Sequence, residues 1–404
     1  MDTAWTVDQS GTVWTLLGLA AALRAQRVGA VEVARAALER LEAVRTVIGG
    51  VAAVDPERTL ESARVAERRL KQGEGGALEG VPFTVKDWID VAGWPVAGSY
   101  GTDPGQAGRR PNEDATAVAR LRAAGAVVVA ITSAGVDSVY GAVRNPLNPA
   151  LSPGGSSSGA AALTAAGVVT LGLGSDSGGS IRLPAAWCEL VGLKPSFGRV
   201  PLTGHFPRCG EFEDGRTVIG PLTRTVDDAA AVLALIAGPD GRDAGVQPVP
   251  LGNPDAVDVS ALRIGISGRN ETTADALRPL LEAGATQIGE PVPDLRDEAL
   301  ELTRRCWRRE MLTGAECLQF LSDWDSFRTR LLTIVEPLDI ILCPAVDHPA
   351  PEWREPIDTD ITWMLPWSLT GSPVVAVPVG AASVQVVGRR WQDHVAIAVA
   401  RLIG

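Results

Sequence analysis

Apolar residues recur at intervals of three and four over Thr15 to Arg27 and Val31 to Val44, which predicts two amphipathic helices. A third helical pattern runs from Pro56 to Lys71 and stops at Gly73-Glu74-Gly75-Gly76. The periodicity then changes. Val81-Pro82-Phe83-Thr84-Val85-Lys86 is a short apolar run of strand length, and beyond it helix and strand patterns alternate. A helix at Asn112 to Ala124 and a strand at Ala126 to Ile131 precede a Gly/Ser loop. A helix of small residues near Gly159 to Ala166 and a strand at Val168 to Leu173 follow it. Farther on come a helix at Val226 to Ile236, a strand at Leu262 to Ile266 and a helix at Asp297 to Met311. Strands at Asp339 to Leu342, Val374 to Val379 and Val384 to Val387 lead to a closing helix from Asp393. Such alternation predicts an α/β fold with a large, mainly parallel or mixed sheet covered by helices. Gly238 to Val257, rich in Pro, Gly and Asp, reads as a surface loop rather than a linker, so residues 1–404 are expected to form one domain.

Composition narrows the setting. Hydrophobic residues make up 46% of the 404 and charged residues 21%, enough apolar surface for a large core and too ordinary a balance for long disorder. The longest apolar candidate, Val13 to Leu23, ends at Arg24 and falls short of the ~18 residues a membrane span needs. Asp2 precedes the first basic residue, Arg24, so a positively charged secretory leader is not expected and the cytoplasm is the expected location. A net charge of −11 disfavours nucleic acid and anionic membranes as partners. Cys188, Cys209, Cys306, Cys317 and Cys343 are scattered without metal-site or disulfide spacing and are expected to be reduced packing residues.

The basic residues are more informative. Of 37, only Lys71, Lys86 and Lys194 are lysine. Arginine keeps its proton in proteins, whereas a desolvated lysine can be neutral near pH 7 and act as a base. Lys86 ends an apolar run with Trp88 two residues on, which suits desolvation, although composition alone favours the plainer reading of an ion pair with Asp87 or another carboxylate. Lys71 adjoins a polar break and reads as a surface group, and Lys194 reads as a partner for a carboxylate.

Two Gly/Ser segments stand out, Ser152-Pro153-Gly154-Gly155-Ser156-Ser157-Ser158-Gly159 and Gly174-Ser175-Asp176-Ser177-Gly178-Gly179-Ser180-Ile181-Arg182. Glycine allows successive N–H groups to turn toward one point, as an oxyanion site requires. Both segments are embedded between apolar elements, where a floppy linker would strand polar backbone groups. Neither GxxxxGK[ST] nor GxGxxG occurs, so nucleotide phosphate is not the expected ligand. Gly155-Ser156-Ser157-Ser158-Gly159 does match the GxSxG elbow of α/β-hydrolases, with Ser157 as nucleophile. That chemistry needs a histidine. His205, His348 and His394 each sit in contexts typical of structural histidines, and no metal-ligand spacing is present.

Taken together, the two Gly/Ser segments and the upstream Gly80-Val81-Pro82-Phe83-Thr84-Val85-Lys86-Asp87 resemble the amidase signature family. Val191 to Arg199, Gly220 to Asp228, Leu369-Thr370-Gly371-Ser372-Pro373 and Val384 to Trp391 extend the similarity over most of the chain. The resemblance implies one α/β/α domain around a large mixed sheet, with its signature core at about 76–235 and a shortened C-terminal part at about 260–404. It implies an amidase of the Ser-cisSer-Lys type that needs no cofactor or metal and acts on a small-molecule amide. Position by position, Ser180 becomes the nucleophile, Ser156 a bridging serine after a cis peptide, and Lys86 the terminal base. The N–H groups of Ser177, Gly178 and Gly179, with that of Ser180, would hold the oxyanion. Acyl transfer to an amine, an amidotransferase subunit that supplies ammonia for tRNA-linked glutamine synthesis, and a catalytically dead scaffold are the rival readings, and homodimer formation is left open. Ser158 and Ala160 replace the family's usual Gly and Ser, and the chain is short between Ser133 and Tyr140 and again from about Asn270 to Arg330. Substrate identity therefore cannot be carried over.

Overall fold

The computed structural model describes residues 14–98, 109–206, 215–289 and 292–404. Three helices come first, α1 (Leu16–Arg24), α2 (Ala30–Ile48) and α3 (Pro56–Gln72), with the strand β1 (Val51–Val54) between the last two. The alternating part contains β2 (Pro82–Lys86), α4 (Thr116–Ala123), β3 (Val127–Thr132), a small hairpin of β4 (Asp137–Ser138) and β5 (Gly141–Ala142), and α5 (Ser158–Ala165). It continues through β6 (Leu171–Asp176), α6 (Arg182–Trp187), β7 (Val191–Lys194), β8 (Val218–Thr223) and α7 (Val226–Ile236). The remainder comprises β9 (Arg263–Ile266), α8 (Glu271–Glu282), β10 (Thr286–Gln287), α9 (Arg296–Trp307), α10 (Gly314–Val335) and β11 (Ile340–Pro344). It closes with α11 (Leu365–Leu369), β12 (Val374–Val379), β13 (Ala382–Gly388) and α12 (Asp393–Ile403).

Among the described residues, eleven strands form one sheet in the order β1-β3-β2-β6-β8-β7-β12-β13-β11-β9-β10. Parallel pairs fall in two blocks, β3-β2-β6 and β11-β9-β10, joined by antiparallel β8, β7, β12 and β13. The sheet is mixed, as the alternation predicted.

Both faces of this sheet are covered, and strand alternation shows how. On β11, Ile340 and Leu342 point into a cluster shared with α8 and α12, while Ile341 and Cys343 point into another with α9, α10 and α11. On β3, Val128 faces one cluster and Val129 faces a second one beneath α2 and α5. A strand buried on both sides has no use for polar positions, which explains the near-continuous apolar runs of β2 and β3.

Several predicted boundaries shift, two of them at starts whose contacts show the cause. The helix expected from Asn112 begins at Thr116, because Asp114 accepts the Ala92 N–H and the Ala115 N–H goes to the Asp90 carbonyl, fixing Asn112 to Ala115 as loop. The strand expected from Val168 begins at Leu171, where pairing with Phe83 opens; Val168 and Val169 instead fill the cluster beneath α5. β1, β7, β8, α8 and α10 are present although the periodicity did not announce them as elements.

Gly238 to Val257 lies on the surface without a long helix or strand. Cys188, Cys306, Cys317 and Cys343 are free thiols, the first, second and fourth of them buried; Cys209 lies outside the described residues. Among the described residues no helix is long and apolar enough to cross a membrane.

Candidate active site

Lys86 is the last residue of β2, a strand with every residue buried, and its side chain has no solvent exposure. The Nζ atom donates to Ser156 Oγ at 2.8 Å and to Ser175 Oγ at 3.1 Å, and it lies 4.4 Å from the Trp88 ring centroid. An ammonium or amine in that place is shielded from water and oriented toward serine hydroxyls. Asp87, the carboxylate considered as its ion-pair partner, accepts the Ala97 N–H at 2.8 Å. It also bonds the Tyr140 hydroxyl, whose pKa is raised to about 12 by burial first and by Asp87 second.

Ser156 follows a cis peptide from Gly155 and opens the turn into α5. Ser180 lies on the loop between β6 and α6, half-buried, and its carbonyl accepts the Ser157 N–H at 3.0 Å. That bond ties the two Gly/Ser segments together. Ser156, Ser177, Gly178, Gly179 and Ser180 all line one cavity of about 420 Å³. Ser157, the elbow candidate, faces the other way: it is fully buried and its Oγ donates to the Ser175 carbonyl at 3.2 Å. His205, His348 and His394 do not line the cavity; His348 pairs with Asp360 at 3.1 Å.

The loop is shaped by Asp176, whose carboxylate accepts the N–H groups of Gly179 at 2.8 Å and Ile181 at 3.1 Å. Arg182 closes on the same carboxylate through Nε at 3.0 Å and Nη2 at 2.9 Å, both side chains fully buried. Burial alone pushes the Asp176 carboxyl up, but the charge and hydrogen bonds of Arg182, the charge of Lys194 and the Ile181 N–H bring it down to about 2. Gly179 sits at φ 142°, and a Cβ there would come within 2.6 Å of Met364 Sδ, so glycine is required. The Gly179 N–H, one of the four expected to face an oxyanion, is taken by Asp176.

The other two lysines part company. Lys71 pairs with Glu67 at 3.0 Å on the surface of α3, as expected. Lys194 is fully buried, donates to the Pro195 carbonyl at 3.2 Å and is pushed down to about 7, first by burial and then by Arg182, against the pull of Asp176 and Asp393. Sequence reasoning did not single out Ser175, Asp176 or Arg182 as supports, although all three stand inside the quoted motif. It had no signal for Trp307, Ile357 and Ile361, which wall the cavity from distant parts of the chain.

The model of the family named Amidase matches residues 32–288, well over half of the chain. The chain belongs to the amidase family. Its motifs and its mixed α/β sheet are those the resemblance to the amidase signature group implied. The chain is 38% identical over 307 residues to the A-type subunit of glutamyl-tRNA(Gln) amidotransferase from Chloroflexus aurantiacus (strain ATCC 29366 / DSM 635 / J-10-fl), a match covering 70% of this chain and 61% of that protein. It thus spans about three fifths of that relative's length. A crystal structure of an amidase superposes with a TM-score of 0.81 at 27% identity, covering 96% of this chain and 99% of the other. A protein from the vestigial complex that reveals the origins of an s-triazine catabolic enzyme gives 0.84 at 25% identity, with 96% and 98% covered.

Proposed function

We propose that this amidase-family chain hydrolyses the C–N bond of a small-molecule carboxamide through an acyl-enzyme on Ser180. The observation that carries the reading is the 2.8 Å contact between buried Lys86 and Ser156, on the cavity that Ser180 also lines. Lys86 in its neutral form takes the proton of Ser156, and Ser156 takes that of Ser180 as the Ser180 oxygen attacks the amide carbon. The N–H groups of Ser177, Gly178 and Ser180 hold the oxyanion. On collapse the C–N bond breaks and the relay returns the proton to the leaving amine; water then attacks the acyl-enzyme along the same route.

Labelling with a serine-directed fluorophosphonate followed by mass spectrometry tests this. The adduct is expected on the peptide containing Ser180, lost in Ser180→Ala and formed slowly in Ser156→Ala. An adduct on Ser157, or one that survives Ser180→Ala, would overturn the mechanism.

The relatives support a second reading, an A-type subunit of a glutamyl-tRNA(Gln) amidotransferase, in which the same three residues would release ammonia from glutamine. Rapid glutaminase activity in the presence of the remaining subunits would favour it.

A further inference from the structure

The cavity in front of Ser180 is walled by Trp88, Leu183, Trp307, Pro356, Ile357 and Ile361. Among the described residues no lysine or arginine lines it, and the two ionisable side chains that do, Glu355 and Asp358, are both acids. Asp358 is met by Arg304 Nε at 2.7 Å, which balances its charge. Glu355 accepts the Asp137 N–H at 2.5 Å, a neutral donor that leaves negative potential at the mouth.

The 355–361 wall is built rather than loose. Asp360 is buried and accepts from Arg354 at 2.7 and 2.8 Å, from the Ile357 N–H at 2.7 Å and from His348 at 3.1 Å. Ser152 Oγ, two residues before Gly154, donates to the Arg354 carbonyl at 3.0 Å and so joins this wall to the serine segment. On that wall Ile357 stays 54% exposed, and across the cavity Trp307 stays 46% exposed. Large apolar side chains held open at a preformed cavity are what an apolar ligand group covers.

We propose that the cavity takes amides whose acyl part is apolar and uncharged, of phenylacetyl or branched short-chain size, and rejects amides carrying a free carboxylate, glutamine included. A carboxylate entering this space would shed its water with no cation among the described lining residues to receive it and with the Glu355 carboxylate at its mouth. The substrate class rests on Ser180 being the nucleophile, as proposed above, and the test separates the two.

Ammonia release is measured from phenylacetamide and isovaleramide against glutamine and succinamic acid. In parallel, Ser180 adduct formation is timed with two fluorophosphonates that differ only in a terminal methyl or carboxylate on the chain. The uncharged member of each set is expected to react at least roughly a hundredfold faster, a ratio in keeping with a buried charge left unpaired. Ile357→Arg, at an exposed wall position, supplies a cation and is expected to cut that ratio at least tenfold. Ser180 adducts formed at equal rates by both reagents, faster turnover of glutamine, or an unchanged ratio in Ile357→Arg would each overturn the substrate class and leave the nucleophile intact. Absence of a Ser180 adduct with either reagent would overturn the nucleophile, and the substrate class with it.

Discussion

Lys86 makes its contacts from a position with no solvent access, reaching Ser156, Ser175 and the face of Trp88. A guanidinium there keeps positive charge but gives up no proton and is too wide for a site shaped around one nitrogen. Lys86→Arg is therefore expected to lower kcat/KM for amide hydrolysis by roughly a thousandfold or more while the fold persists, a loss in the range that general-base removal gives. Amide turnover checked beside circular dichroism reads this, and turnover near wild type would remove Lys86 from the mechanism. The residue types were legible in the sequence because lysine is scarce in this chain and glycine-rich serines are distinctive. Which way each serine points was not. Ser156 and Ser157 are neighbours in an irregular turn: bonds from Ser157 to the Ser180 and Ser175 carbonyls hold it in the core, while Ser156 Oγ meets Lys86 on the cavity side.

At the scale of elements, α10 shows both a missed signal and a test. Its 22 residues were not announced by the apolar pattern, which is interrupted by Ser322, Asp323, Asp325 and Ser326. The start was nevertheless written locally: Thr313 Oγ1 accepts the Glu316 N–H at 3.4 Å and Glu316 returns a bond to the Thr313 N–H at 2.8 Å, a capping box. Thr313→Ala removes that hydroxyl from an exposed helix end and is expected to cost about 1 kcal/mol, read as a lower denaturation midpoint. No change would mean that α10 is held by packing of Phe320, Phe327 and Leu331 alone. Elements with uninterrupted period, such as α7 and β12, were placed at their observed ends. β7 and β8 escaped because a short strand with Gly192, or with Gly220 and Pro221, carries little alternation, and its identity depends on the neighbours that pair with it.

For the whole molecule, the buried Asp176–Arg182 pair links the Ser180 loop to the C-terminal half. Arg182 also donates to the Met364 carbonyl and to Gln385 Oε1, each at 2.9 Å, and to Ser368 Oγ at 2.7 Å. The Asp176 carboxyl stands at about 2 in the folded protein, below its ordinary 3.8. A lowered carboxylate stabilises the fold above the unfolded value and loses that contribution as pH falls toward the folded one, a term of about 2 kcal/mol. Asp176→Asn leaves Arg182 buried without its counter-charge and is expected to destabilise by about 3–5 kcal/mol at pH 7. Urea midpoints at pH 7 and pH 3 check this: the gap between wild type and variant should narrow at the lower pH. A constant gap would show that the pair contributes by shape and not by charge. The sequence by itself determined the kind of fold and the family, since apolar periodicity and a dense Gly/Ser/Lys motif are properties of short stretches. Only the tertiary structure decided the cavity. Trp88, Trp307 and the 355–361 segment stand far apart in the chain, and the sheet order and the Asp360 clamp alone bring them round Ser180.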